Sequence, residues 1–184
     1  MKYFLDCGSH IGEGYEEFLG RYGNDYNYML FEPNEKCCKI LNEKYGNRPN
    51  VKIFHNAVYK EECTKTLEMG SELCIGATII EGHNSGVNFN KKFFETIKCI
   101  DISKIINELA IDNNEIVMKI NIESSEYDVL EHMIETGTIF KTSKIYCDFH
   151  SRYMNAQDRA LFLPREAKIL EYVRINKINF EIWH

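Results

Sequence analysis

Residues Phe4–Gly14 read FLDCGSHIGEG, a short apolar run that ends in Asp6 and is followed by Gly8, Gly12 and Gly14. Glycines placed after a strand let backbone approach a ligand closely, and a helix that follows offers unpaired N–H groups. The spacing Gly8-x-x-x-Gly12-x-Gly14 is not the G-x-G-x-x-G of a dinucleotide turn, and no G-x-x-x-x-G-K-[ST] phosphate loop occurs. A carboxylate at the lip of that turn repels a pyrophosphate and suits a cation. Glu32, closing the second apolar run YMLFE, stands where acids accept ribose hydroxyls in nucleotide folds. Asp6, Gly8, Gly12 and Glu32 together point to a cationic nucleoside, for which S-adenosylmethionine (SAM) is the obvious choice.

A second group of reactive side chains follows two later apolar runs. Glu123 comes after IVMKINI, and Asp148 and His150 lie at the end of KIYCDFH. If these runs are adjacent parallel strands, all three side chains reach one sheet edge with Asp6 and Glu32. Asp148 and His150 are two apart and share a face. A histidine titrates near pH 6.5 and could take a proton with Asp148 orienting it. The less favoured alternative is a divalent metal, Mg²⁺ or Mn²⁺, on Glu123, Asp148 and His150. Lys119 and the pair at 91–92 read as solvated or hydrogen-bonding structure, His83 as a loop residue, and His55 as a strand residue.

Positioning these groups falls to an alternation of strands and helices. Lys2–Asp6 reads as a strand. Tyr15, Phe18, Leu19 and Tyr22 make one helical face that stops at Gly23. Cys38, Leu41 and Tyr45 make another. Val51–Tyr59 and Thr64–Met69 read as a hairpin, and 70–94 as a long Gly/Ser/Asn-rich loop. Thr96–Ile100 and Ile116–Ile122 are strand candidates, with a short helix over Ile102–Leu109. Ser125 with Asp128 resembles a capping box opening the next helix. Lys144–Phe149 is a strand, Pro164 opens a helix to about Ile175, and Ile178–Trp183 closes the chain as a strand. Strands alternating with helices define one α/β domain over residues 1–184, a mainly parallel sheet covered on both faces.

The 184 residues are 44% hydrophobic and 27% charged, enough for a real core. A net charge of −6 without a basic stripe argues against nucleic acid as a partner. No apolar run is long enough to span a membrane and no secretion signal is present, so the expected location is cytoplasmic. Seven cysteines without a C-x-x-C pair read as reduced thiols, those of Cys7, Cys99 and Cys147 as strand residues in the core.

The motif D-x-G-x-x-x-G (Asp6, Gly8, Gly12) with FEPN, then HNAVYK at 55–60, CIDISKII at 99–106 and MKINIESSEYDVLEHM at 118–133, resembles the FkbM family of methyltransferases from about Lys2 to His150. The resemblance implies a Rossmann-like class I fold and a SAM-dependent O-methyltransferase acting on a hydroxyl of a sugar, glycan or other small molecule. It implies SAM contacts from Asp6, Gly8, Ser9, His10, Gly12, Glu32, Asn56, Ala57 and Asn121. Asn56 and Ala57 fall where that fold places the adenine. The chain departs from the family in having Asn121 for Asp, Ser124 for Gly, and His10 where Asn is frequent. Little chain follows the last helix, so the antiparallel seventh strand is expected to be missing. These departures suit a domain excised from, or working beside, a larger protein or oligomer. They keep two alternatives open: a SAM-fold binding subunit without activity, and an NAD-binding oxidoreductase.

Overall fold

The computed structural model describes residues 1–73, 76–81, 83 and 93–183. The lysines at 91–92 and much of the expected 70–94 loop lie outside them. Strands β1 (Lys2–Cys7), β2 (Asn27–Phe31) and β3 (Val51–Phe54) alternate with helices α1 (Glu13–Tyr22) and α2 (Glu35–Tyr45). Next come β4 (Ala57–Tyr59), β5 (Cys63–Met69), β6 (Phe93–Asp101) and α3 (Ile102–Leu109). The chain continues through β7 (Glu115–Ile120), α4 (Glu126–Glu135), β8 (Lys144–Cys147), α5 (Ala156–Ile175) and β9 (Phe180–Ile182).

Six strands form one sheet in the order β3-β2-β1-β7-β8-β9, every pair parallel. The order reverses between β1 and β7, which opens a crevice at their carboxyl ends. Alternation along the strands sorts two cores. Phe4, Tyr28, Leu30, Val117 and Tyr146 pack on Tyr15 and Phe18 of α1 and on Leu41 and Tyr45 of α2. Leu5, Cys7, Met118, Ile120 and Cys147 face the other way, against α3, α4 and α5. The mainly parallel sheet covered on both faces is therefore as the sequence suggests.

Three local expectations need correction. The segment Val51–Tyr59 is two strands, and the expected hairpin partner β5 pairs with β6 instead. In this second sheet, β4-β6-β5, β6 lies parallel to β4 and antiparallel to β5. The closing segment is a strand as expected, and it joins β8 as a parallel edge. Ser125 stands at the start of α4 but its side chain makes no capping bond. Pro164 does not open α5 but lies inside it, because Asn155 caps that helix earlier, accepting from the Asp158 N–H.

Helix α1 begins under an aromatic lid. Gly12 has φ 103°, and a Cβ there would stand 2.4 Å from Cε2 of Tyr45, whose ring is buried against Tyr15. Both the backbone and the space demand glycine. Gly12→Ala is expected to lower stability by at least about 2 kcal/mol, read from urea denaturation; an unshifted midpoint would show that the tyrosine yields freely.

Candidate functional site

A cavity of about 310 Å³ opens at the carboxyl ends of β1, β2 and β7, the volume of a small-molecule site. Gly8, Ser9, His10, Glu32, Ala57, Asn121 and Glu123 of the expected residues line it. Asp6, Gly12, Asn56, Asp148 and His150 do not. Glu13, Phe31, Lys119, Ser125 and Trp183 add to its polar and aromatic wall, with Gly76, Ala77 and Ile79 coming from the segment after β5.

The turn after β1 is built from its neighbours. Gly8 (φ 83°) and Ser9 donate from their backbone N–H groups to the Phe31 carbonyl at 3.0 and 3.1 Å, and the Ser9 hydroxyl donates to the Asp6 carbonyl at 2.9 Å. A Cβ on Gly8 would fall 1.9 Å from the Asn121 carbonyl oxygen. Glycine is thus required by the adjacent strand, before any ligand is considered. Glu32 secures the other side, its two oxygens accepting from the backbone N–H groups of His10 and Asn34 at 2.8 Å each. Burial raises its pKa to about 7 against the pull of those bonds.

Asp6 is not available to a ligand in the way its position suggests. It is fully buried, and Lys119, its register partner on β7, brings Nζ to 2.9 Å from Oδ1. The same ammonium donates to the Gly8 carbonyl at 2.6 Å. The negative charge expected at the lip of the turn is neutralised from within. Gly12 serves packing under Tyr45. Asn56 turns away from the cavity, donating to the Lys98 carbonyl at 3.4 Å, and His55, beyond the end of β3, faces the Pro33 carbonyl.

At the other end of the cavity, charged side chains form a chain of contacts. Glu123 and Ser124 adopt φ 51° and 80°, conformations unfavourable for side chains, and are held there by several bonds. Glu126 accepts from the Ser124 N–H at 2.9 Å and Thr78 donates to the Glu123 carbonyl at 2.6 Å. His150 is buried, its Nδ1 3.1 Å from Glu126 and its Nε2 3.4 Å from Glu123. Burial would lower its pKa, but these two carboxylates raise it to about 10. Glu123 answers in kind: burial works against its charge, yet His150 and His83 bring it down to about 2. Asp148 is held by both terminal nitrogens of Arg152 at 2.7 and 2.8 Å, and stands 3.7 Å from His150 Nε2.

This arrangement corrects the expected acid–base pair. An imidazolium with both ring nitrogens against carboxylates has no lone pair with which to take a proton. Glu123, Asp148 and His150 do share one edge, but only Glu123 reaches the cavity. Among the described residues no three His, Cys, Asp or Glu side chains are set to hold a metal ion. His83, read from sequence as an ordinary loop residue, is brought to the site with Nε2 3.2 Å from Glu123 and Nδ1 2.8 Å from the Ser124 hydroxyl. Only its spacing within a segment that returns to the sheet edge places it there, and no local pattern signals that.

Three buried polar atoms on the cavity wall have no hydrogen-bond partner among the described residues: Nε2 of His10, Oδ1 of Asn121 and Oγ of Ser125. Buried groups of this kind are ordinarily satisfied, so a ligand or water belongs beside them. Fold and site together define an α/β protein with a cavity at the switch point of a parallel sheet. No model of a known protein family matches the chain, and no curated protein sequence matches it. Among the described residues no helix is long and apolar enough to cross a membrane.

Two outcomes test this electrostatic description. Lys119→Met should cost about 3–5 kcal/mol in urea denaturation by stranding Asp6, and adding Asp6→Leu should restore most of it; equal losses in both would deny the pair its role. His150 should stay protonated and show no imidazole titration by NMR between pH 5.5 and 8.5. Because its folded pKa lies above the unfolded value of about 6.5, its stabilisation is complete below that value and is lost as pH rises through about 10. The stability gap between wild type and His150→Asn should accordingly shrink from pH 6.5 to 10, and a constant gap would contradict the pairing.

Proposed function

We propose that the chain is a SAM-dependent methyltransferase of the FkbM type, transferring a methyl group to a hydroxyl of a sugar, glycan or other small molecule. The observation that carries this reading is the cavity itself, which gathers Gly8, Glu32, Ala57 and Asn121 from four separate places in the chain around unpartnered polar atoms. The resemblance stated above involves those same residues. Ser124 adds support: where the family has glycine, this chain has φ 80°, a conformation that glycine adopts freely.

The residues present suit SAM, which supplies a methyl group activated on a sulfonium. Glu32 would accept the ribose hydroxyls with the lone pairs its two backbone bonds leave over. Ala57 and Val58 offer an apolar wall for the adenine, and Asn121 Oδ1 an acceptor for the ammonium. The attraction for positive charge passes from Asp6 to Glu123, ionised at any physiological pH and facing the cavity. Glu123 can also accept a hydrogen bond from an acceptor hydroxyl and orient it, while His150, already charged, fixes the carboxylate. The protein's larger share is to hold both partners in reacting geometry.

One observation favours a second reading. The all-parallel order β3-β2-β1-β7-β8-β9 is that of dinucleotide-binding sheets, and Lys119 removes the charge that would repel a pyrophosphate. The glycine spacing still argues against it.

Calorimetric titration with SAM, S-adenosylhomocysteine and NAD separates the two readings: SAM and its product should bind and NAD should not. Affinity for SAM should rise with pH through about 7 as Glu32 ionises, since the carboxylate is the better acceptor. Glu32→Gln should weaken binding by about 1–3 kcal/mol and flatten that pH dependence. Binding of NAD alone would overturn the proposal. Transfer of tritiated methyl from SAM to a panel of sugars and glycan fragments then tests activity, and tight SAM binding without any transfer would favour a non-catalytic subunit.

A further inference from the structure

Behind the cavity two thiols face each other across a strand pair. Cys63, the first residue of β5, and Cys99 on β6 are direct partners in the antiparallel ladder. Opposed residues in such a ladder have Cα atoms about 4.5 or 5.5 Å apart, and both spacings lie within the range a disulfide bridges. Their side chains share a face: Cys99 is buried in the cluster of Ala57, Leu67, Met69 and Ile97, and Cys63, half-buried, packs against it. Burial, with the Cys63 thiol beside it, pushes the Cys99 thiol up to about 12. Cys99 is thus shielded and inert alone, while its neighbour is reachable from solvent.

We propose that Cys63 and Cys99 form an oxidisable dithiol, a modification site for hydroperoxides. Cys63 attacks the peroxide, breaking its O–O bond to give a sulfenic acid and one water from hydrogen peroxide, or the alcohol from an organic hydroperoxide. The Cys99 sulfur then attacks the Cys63 sulfur, forming the S–S bond and breaking S–O. The hydroxide leaves with the Cys99 proton as water. Two thiols lose two electrons and the peroxide gains them. The strands already hold the two sulfurs opposed, so the second step outruns further oxidation of Cys63. Ala57 and Leu67 of the same cluster line the cavity, so the modification falls on its rear wall. The site stands independently of the methyl-transfer reading.

The test treats the reduced 184-residue chain with hydrogen peroxide. Trypsin cuts after Lys60, Lys65, Lys98 and Lys104, so the disulfide joins the peptides Glu61–Lys65 and Cys99–Lys104. That pair should dominate the non-reduced digest and separate on adding dithiothreitol. The intact chain should lose two hydrogens and no more. Cys63→Ser, at a half-buried position that leaves the circular dichroism unchanged, should abolish the linked species. A sulfinic acid accumulating on Cys63 beside an unmodified Cys99 would overturn the proposal. So would linkage of either residue chiefly to another cysteine, or an unaltered mass.

Discussion

The buried contact between Asp6 and Lys119 is the constraint on which the site depends. These residues face each other in the register of β1 and β7, the two strands between which the chain order reverses. A carboxylate and an ammonium taken out of water must be matched closely or they destabilise the fold. The match closes the switch point, and the second bond from Lys119 to the Gly8 carbonyl extends it to the turn. The glycine loop therefore takes its shape from a charge pair beneath it as much as from its own sequence.

The other carboxylates of the region are also held, each by a different means. Glu32 is braced by backbone N–H groups and sits near its protonation point, so its charge responds to whatever enters the cavity. Glu123 is braced by imidazoles and stays ionised. Glu126, fully buried, joins the Ser124 backbone to His150 and so couples the loop after β7 to the end of β8. The two ends of the cavity thus differ in kind, one titratable and one permanently charged.

Much of this was legible in the sequence because it is local. The spacing of Tyr15 and Phe18, or of Leu41 and Tyr45, identifies helix faces that the structure buries. The acid and the glycines at the ends of short apolar runs mark the crevice, and Glu32 and Gly8 do line it. What stayed hidden depends on distant partners. Alternation marks Val51–Tyr59 and Thr64–Met69 as strands but cannot say that the first breaks in two or that β6 comes between β4 and β5. His150 looks like a base until Glu126, 24 positions away, is found against its Nδ1. Asp6 looks exposed to a ligand until Lys119 reaches it from across the sheet. Pro164 suits a first helical turn, but Asn155 upstream caps α5 earlier and leaves the proline inside it.

Trp183 follows the edge strand β9, with its backbone N–H donating to the Cys147 carbonyl, its indole N–H to Glu17 at 3.3 Å, and its ring on the cavity wall. Lys119 Nζ lies 5.4 Å from the ring, joining the indole to the ion pair at the switch point. The chain has one tryptophan, so all of its indole fluorescence originates at this wall. The protein carries a built-in optical probe, with an emission colour set by the polarity around a partly buried ring and the ammonium above it. Occupancy of the crevice, and the integrity of the charge pair, are written into a single spectrum without any label.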